Sequence, residues 1–185
     1  LTIGEPPDAV VVTTEHTDAT CNGASDGTIT LDISGGLPDY EVSWSPQGGS
    51  ATVLTGLPAG TYTYTVLDAA GCSVVEEVEI AEPVALTTIP PAELTVCSGQ
   101  EVTLVAAATG GTAPYAFAWV PEGPVLTPET TTVISVQVID ANGCTGATEE
   151  VAVTVTPVIQ PSFSVDIDRG CVPLCVTFTD ESTGT

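Results

Sequence analysis

Lysine and methionine are missing from this sequence, and Arg169 is the only strongly basic side chain. With one basic residue against 24 acidic ones and a net charge of -23, the chain has no cationic surface for phosphate. Nucleic-acid binding is excluded, because it rests on neutralising backbone phosphates. Adhesion to anionic lipid is not expected, for the same reason. Without lysine no isopeptide cross-link can form, so disulfides are the only covalent brace on offer. Histidine is present once, as His16 in "VVTTEHTDATC", where it reads as a solvated surface residue rather than a catalytic base. Long apolar runs are also missing. No stretch reaches the roughly 18 consecutive apolar residues of a membrane helix, and no membrane insertion is expected.

What remains is a strand-and-turn vocabulary. Hydrophobic residues make up 43% of the 185 positions, mostly Val, Ile, Leu and Ala in short alternating runs, punctuated by 18 Gly and 15 Pro. That content separates the chain from a disordered acidic tail. No segment longer than about ten residues keeps a helical period.

The sequence repeats itself. "GGLPDYEVSWSP" (Gly35–Pro46) returns as "GGTAPYAFAWVP" (Gly110–Pro121), and "TVLDAAGC" (Thr65–Cys72) returns as "QVIDANGC" (Gln137–Cys144). Cys21 likewise returns as Cys97, and the markers recur at steps of 72 to 76 residues. "LTIGEPP" at residues 1–7 matches "VEIAEPV" at residues 78–84, so residues 1–7 are expected to be the last strand of a preceding repeat. The organisation expected is a repeat over 8–83, a second over 84–157, and the start of a further one over 158–185. On this reading the sequence is a window on a longer tandem array, consistent with the lack of a visible signal peptide.

Each repeat reads as a β-sandwich. Ile29, Leu31 and Ile33 alternate with polar residues, as do Tyr40, Val42 and Trp44, and then Tyr62, Tyr64 and Val66. In the second repeat the equivalents are Val102, Leu104 and Ala106, then Tyr115, Phe117 and Trp119, then Ile134, Val136 and Val138. Period two puts each trio on one sheet face, so Tyr40, Trp44, Tyr62, Tyr64, Tyr115, Phe117 and Trp119 are expected in the cores rather than on a sugar-stacking platform. Short strands at regular spacing, with a tryptophan on a central strand, predict an all-β fold of tandem immunoglobulin-like sandwiches.

Six cysteines fit an oxidising compartment. The repeat suggests one bridge per complete repeat at matching positions, Cys21–Cys72 and Cys97–Cys144. Each would close a loop of about 50 residues and stabilise by about 4 kcal/mol on the chain-entropy model. Cys171 and Cys175 either pair with each other across "CVPLC", or Cys171 bonds elsewhere. That lone short pair does not suggest a zinc site.

"CNGASDGTITLDISGGLPDYEVSWSP", followed by "LTGLPAGTYTYTVLDAAGC" and "VEIAEP", resembles the SprB-type repeat of giant cell-surface adhesins in gliding Bacteroidota. The second repeat is similar to PKD-like and immunoglobulin-like repeats of the same proteins, and "GCVPLCVTFTDESTG" resembles the opening of a PKD domain. The resemblance implies a secreted, extracellular location reached by the type IX route. It also implies a part in cell adhesion or gliding motility as a surface filament. The partners it implies are neighbouring repeats of the same chain and identical chains in a filament. Surface glycans or other cells would be met through parts outside this window.

Chemistry beyond that is sparse. No enzyme activity and no cofactor are expected, and scattered carboxylates read as solvated faces. Calcium is the one ligand that the acidic residues suggest, through Asp68, Asp140, Asp166 and Asp168, with Glu5, Asp8 and Glu82 near the junctions. For Asp68 and Asp140 the competing and preferred reading is a turn cap, the carboxylate bonding backbone amides of "DAxG". The linkers "IAEPVALTTIPPAEL" and "VTPVIQPSFSV" are proline-bearing and should hold successive repeats apart. The expected function is a semi-rigid, disulfide-braced stalk. The rival readings are a carbohydrate- or protein-binding module and an accessory PKD module of a secreted hydrolase.

Overall fold

The computed structural model describes residues 8–121, 123–167 and 169–184, and every regular element among them is a β-strand. The strand expected at residues 1–7 lies outside the described residues. The chain forms two compact units. The first comprises Leu1–Thr87 with Thr109–Ala116 and Ile139–Gly146, and the second comprises Thr88–Ala108, Phe117–Val138 and Ala147–Thr185.

The first unit holds β1 (Val11–Thr17), β2 (Ser25–Ser34), β3 (Glu41–Ser45), β4 (Val53–Pro58), β5 (Gly60–Leu67) and β6 (Ser73–Ile80). They form two three-stranded sheets, ordered β1-β2-β4 and β3-β5-β6, in which all neighbouring strands are antiparallel. The alternating residues explain why the sheets pack. Ile29 and Leu31 of β2 and Leu57 of β4 meet Val42 and Trp44 of β3, Tyr62, Tyr64 and Val66 of β5, and Val78 and Ile80 of β6 in one core. Ile29, Tyr64 and Val66 are fully buried. Each such aliphatic side chain contributes about 1.5–3 kcal/mol by leaving water.

The polar tips of the core aromatics are satisfied, as burial requires. The Trp44 indole N–H donates to the Ala51 carbonyl at 2.8 Å, and Tyr62 donates to the Pro58 carbonyl at 2.9 Å. The Tyr64 hydroxyl donates to Glu76 at 2.7 Å and meets Thr14 Oγ1 at 3.0 Å. Trp44 and Tyr64 pack edge to face with centroids 5.6 Å apart. Tyr40 is half-buried against the same core.

Most of the second repeat's strands lie in the second unit. They are β7 (Thr87–Ile89), β8 (Leu94–Cys97), β9 (Val102–Thr103), β10 (Ala107–Thr109), β11 (Ala116–Val120), β12 (Val125–Leu126), β13 (Thr132–Ile139) and β14 (Glu149–Thr156). A four-stranded sheet runs β11-β13-β14-β8, beside the pairs β10-β7 and β12-β9. β14 pairs with β8 in parallel, with Thr156 in register with Cys97. The core gathers Val96, Leu104, Ile134, Val151 and Val153, with Trp119 packed against it. Val136 and Val138 are buried as the alternation predicts, while Tyr115, Phe117 and Trp119 are half-buried. Thr88 is a buried polar residue that the sequence reading missed. Its Oγ1 donates to the Ala147 carbonyl at 2.6 Å and accepts the Val138 amide at 3.2 Å.

Toward the C-terminus β15 (Phe163–Val165) and β16 (Phe178–Asp180) form an antiparallel pair. Phe163 and Phe178 pack with tilted rings, centroids 5.5 Å apart, and both are about two-thirds exposed.

Candidate functional site

The repeated Gly-Gly and Asp-x-x-Gly-Cys motifs build one local structure, and it occurs twice in the first unit. Asp68 is buried at the end of β5. Its Oδ2 accepts the Leu37 amide at 3.0 Å, and its Oδ1 accepts the amides of Ala70 at 2.9 Å and Cys72 at 2.7 Å. Asp140 does the same with Thr112 at 2.8 Å, Asn142 at 2.9 Å and Cys144 at 2.9 Å. The backbone closes each turn identically. Asp68 N donates to Cys72 O at 2.9 Å and Asp140 N to Cys144 O at 3.0 Å, while Gly71 and Gly143 return bonds to the Asp carbonyls.

The double glycine is what lets the chain come close enough. Gly35 and Gly36 have φ of 70° and 62°, and Gly110 and Gly111 have φ of 75° and 57°. That left-handed region is open to glycine and costly for other residues. A Cβ at Gly35 would stand 2.2 Å from the Ala9 carbonyl oxygen, and one at Gly110 would stand 2.1 Å from that of Ala85. A Cβ at Gly36 or Gly111 would stand 2.7 Å from Oδ2 of Asp68 or Asp140. The tyrosine that follows clamps the turn, Tyr40 donating to the Gly35 carbonyl and Tyr115 to the Gly110 carbonyl at 2.7 Å.

The electrostatic consequence is definite. The amide of Leu37 first, then those of Cys72, Ala70 and Gly71, hold the Asp68 carboxyl below its ordinary value of 3.8 against the opposing effect of burial. The Thr112 amide leads the same effect at Asp140. Both carboxylate oxygens face amide donors, the environment of an anion cap. The turn-cap reading of Asp68 and Asp140 therefore describes their geometry. Asp166 accepts the Thr177 amide at 2.8 Å, and Asp168 lies outside the described residues. Among the described residues no group of three or more His, Cys, Asp or Glu side chains is gathered as a metal site. His16 is exposed, with Asp18 at 3.9 Å.

The disulfide expectation is corrected. Cys21 is bonded to Cys144, 123 residues away, with their Cα atoms 5.7 Å apart. The pairings Cys21–Cys72 and Cys97–Cys144 do not form, and Cys72, Cys97, Cys171 and Cys175 are free and exposed. Nor is there one bridge within each repeat. The reason is the length of a strand. The Cys21 turn is fastened to the C-terminal end of β6 and the residues after it: Ala19 N donates to Ala81 O at 3.0 Å, Gly23 N to Glu82 at 2.6 Å, and Asn22 Nδ2 to Pro83 O at 3.2 Å. Cys72 immediately precedes the other end of β6, whose eight residues span roughly 25 Å. A disulfide tolerates at most about 7 Å between Cα atoms. The second repeat shows the same layout, because Cys97 is in register with Thr156 at the C-terminal end of β14, whereas Cys144 precedes that strand.

Further contacts prepare the Cys21 turn. Asp26 accepts the Thr20 hydroxyl and, at 3.0 Å, the Thr20 amide, which in that order hold the Asp26 carboxyl below its ordinary value. Asn142 Nδ2 donates to the Thr20 carbonyl at 3.1 Å, beside the bond itself. Sequence reasoning missed this clasp. The repeat gave no signal for it, because Thr20, Asp26 and Asn142 stand where the other copy has Val96, Val102 and Ala70.

Residues 13–49, which include Cys21, the first double glycine and Trp44, match the family model of the SprB repeat. No curated protein matched the chain. Among solved structures, fibronectin(III)-like modules of Clostridium thermocellum CbhA are similar at 15% identity and a TM-score of 0.37, covering 80% of this chain and 95% of that one. Extracellular domains 3-5 of Drosophila OTK are similar at 14% identity and a TM-score of 0.38, covering 78% of this chain and 62% of that one. The insect immune protein hemolin is similar at 17% identity and a TM-score of 0.36, covering 83% of this chain and 48% of that one. At such scores the fold rests on the strand pairings described above.

Proposed function

We propose that this chain is a segment of a secreted bacterial surface adhesin or filament, and that its modules serve as a disulfide-braced stalk. The observation that carries this reading is the duplicated Gly-Gly/Asp turn, whose second copy is bonded through Cys144 to Cys21. Its residues are spent on positioning backbone and on a covalent tie between two copies of one sequence repeat. The SprB match over residues 13–49 supports a place in a surface protein, and the disulfide suits an extracellular setting. Export by the type IX route and service in gliding are the finer parts of the same reading, as is origin in Bacteroidota.

The stalk is preferred over a sugar-binding module because Trp44, Tyr62 and Tyr64, the aromatics most suited to stacking, are in the core. Calcium stays in the proposal as a ligand of surface carboxylates such as Asp166, apart from the Asp68 and Asp140 caps.

The test is made on cells of the source organism. Antibodies to this segment should decorate the outside of intact cells in gold-labelled electron micrographs, along extended fibres, and brief protease shaving should remove both label and fibres. Label confined to the cell interior would sink the reading.

A further inference from the structure

Each repeat carries the same two half-sites, and in this chain one of each is bonded. The first half-site is a Cys-x-Gly turn. Cys21 O accepts the Ala24 amide at 3.0 Å, and Cys97 O accepts the Gln100 amide at 3.1 Å. Gly23 and Gly99 both have φ of 75°. The second half-site is the Asp-capped turn, in which Asp68 holds the amide of Cys72 as Asp140 holds that of Cys144. The bond that exists joins the Cys-x-Gly turn of the first repeat to the Asp turn of the second. Left over are an Asp-turn cysteine, Cys72, and a Cys-x-Gly cysteine, Cys97, both exposed. Neither half-site can be filled from its own repeat, since the two cysteines of a repeat stand at opposite ends of an eight-residue strand.

We propose that Cys72 and Cys97 are the unfilled halves of the same kind of bond between repeats. Cys97 accepts the Asp-turn cysteine of a following module, and Cys72 accepts the Cys-x-Gly cysteine of a preceding one. In a solution of this chain alone, that module is a second copy, and the bond is Cys97 of one copy to Cys72 of the next. The inference deepens the stalk reading and rests on it: the tie becomes a repeating covalent ladder. The chemistry balances with a low-molecular-weight disulfide such as oxidised glutathione. The Cys97 thiolate attacks it, forming a mixed disulfide and releasing one glutathione thiolate. The Cys72 thiolate of the neighbour then displaces the second, giving the Cys72–Cys97 bond. The two protons lost by the cysteines end on two reduced glutathione molecules.

The experiment mixes ordinary and isotopically heavy copies of the full chain in a glutathione redox buffer, traps thiols by alkylation, and maps linked peptides by mass. A Cys171→Ser/Cys175→Ser variant run in parallel removes the remaining exposed thiols. The expected result is Cys21–Cys144 within one chain, together with Cys72–Cys97 pairs joining a light and a heavy copy. A ladder of oligomers on a non-reducing gel should collapse with reductant and be lost in both Cys72→Ser and Cys97→Ser. The inference is overturned if Cys72 and Cys97 are fully alkylated while Cys21–Cys144 is closed. It is also overturned if Cys72–Cys97 pairs are found only within single chains, or if oligomers persist in Cys72→Ser. Failure to find Cys21–Cys144 itself would overturn the braced-stalk reading as well.

Discussion

The amide of Cys144 lies 2.9 Å from Oδ1 of Asp140, so the carboxylate fixes the backbone of the very residue whose sulfur meets Cys21. Asp68 holds Cys72 in the same way at 2.7 Å, although Cys72 carries a free thiol. The cap thus precedes the bond in the logic of the turn: it presents a cysteine whether or not a partner arrives.

Asp140→Ala should therefore do two things. It removes the acceptor of three amides and lowers the melting midpoint by on the order of 5 °C or more. It also slows closure of Cys21–Cys144 during oxidative refolding, read by alkylation and mass mapping over time. Asp68→Ala should match it in stability and leave the rate of that closure unchanged.

The caps give stability a definite pH dependence. Both carboxyls are depressed below the ordinary value of 3.8 in the folded chain. The unfolded chain therefore takes up protons first as pH falls, and the contribution is lost from there down through the folded values. It is fully present above the ordinary value. Urea midpoints should be level between neutral pH and about 5, then drop steeply below about 4. Asp68→Asn/Asp140→Asn should be less stable at neutral pH and should show a shallower drop.

Gly35→Ala and Gly110→Ala should each cost on the order of 2–3 kcal/mol, because a left-handed backbone and a carbonyl oxygen little more than 2 Å from the new methyl oppose it together. Gly48→Ala is the contrast. Its φ is 71°, but nothing lies within 4 Å of the added carbon, so about 1 kcal/mol of backbone strain is all it should show. Chemical denaturation of the three variants checks the order.

Trp44→Ala should destabilise the first unit by about 3–5 kcal/mol, since the ring is buried and its N–H is paired. Trp119→Ala should cost less, because that ring is only half-buried against its core. Tryptophan fluorescence reports the same asymmetry: a quencher such as acrylamide should reach Trp119 before Trp44.

The strands and the core were legible in the sequence because period two is a local signal. Ile29, Leu31, Val42, Trp44, Tyr62, Tyr64 and Val66 declare their face through their immediate neighbours. The turn caps were legible for the same reason, since Asp68 and Asp140 bond amides two and four residues ahead. The bond from Asp68 to Leu37, 31 residues back, was not, and neither was the disulfide. Two equivalent cysteine turns offer Cys21 two partners that no local pattern distinguishes. The choice between Cys72 and Cys144 is made by which end of β6 the Cys21 turn is pinned to, through Ala81, Glu82 and Pro83.

The Cys21–Cys144 bond also decides how the chain answers tension applied along it. A pull entering before residue 21 and leaving after residue 144 crosses from one sulfur to the other. The chain between them, which includes β2 to β13, is taken out of the load path. At about 3.4 Å per extended residue, the 123-residue separation hides roughly 400 Å of slack. That slack is released only after reduction, so redox conditions come before strand pairing in setting how far the chain between residues 21 and 144 can lengthen under force.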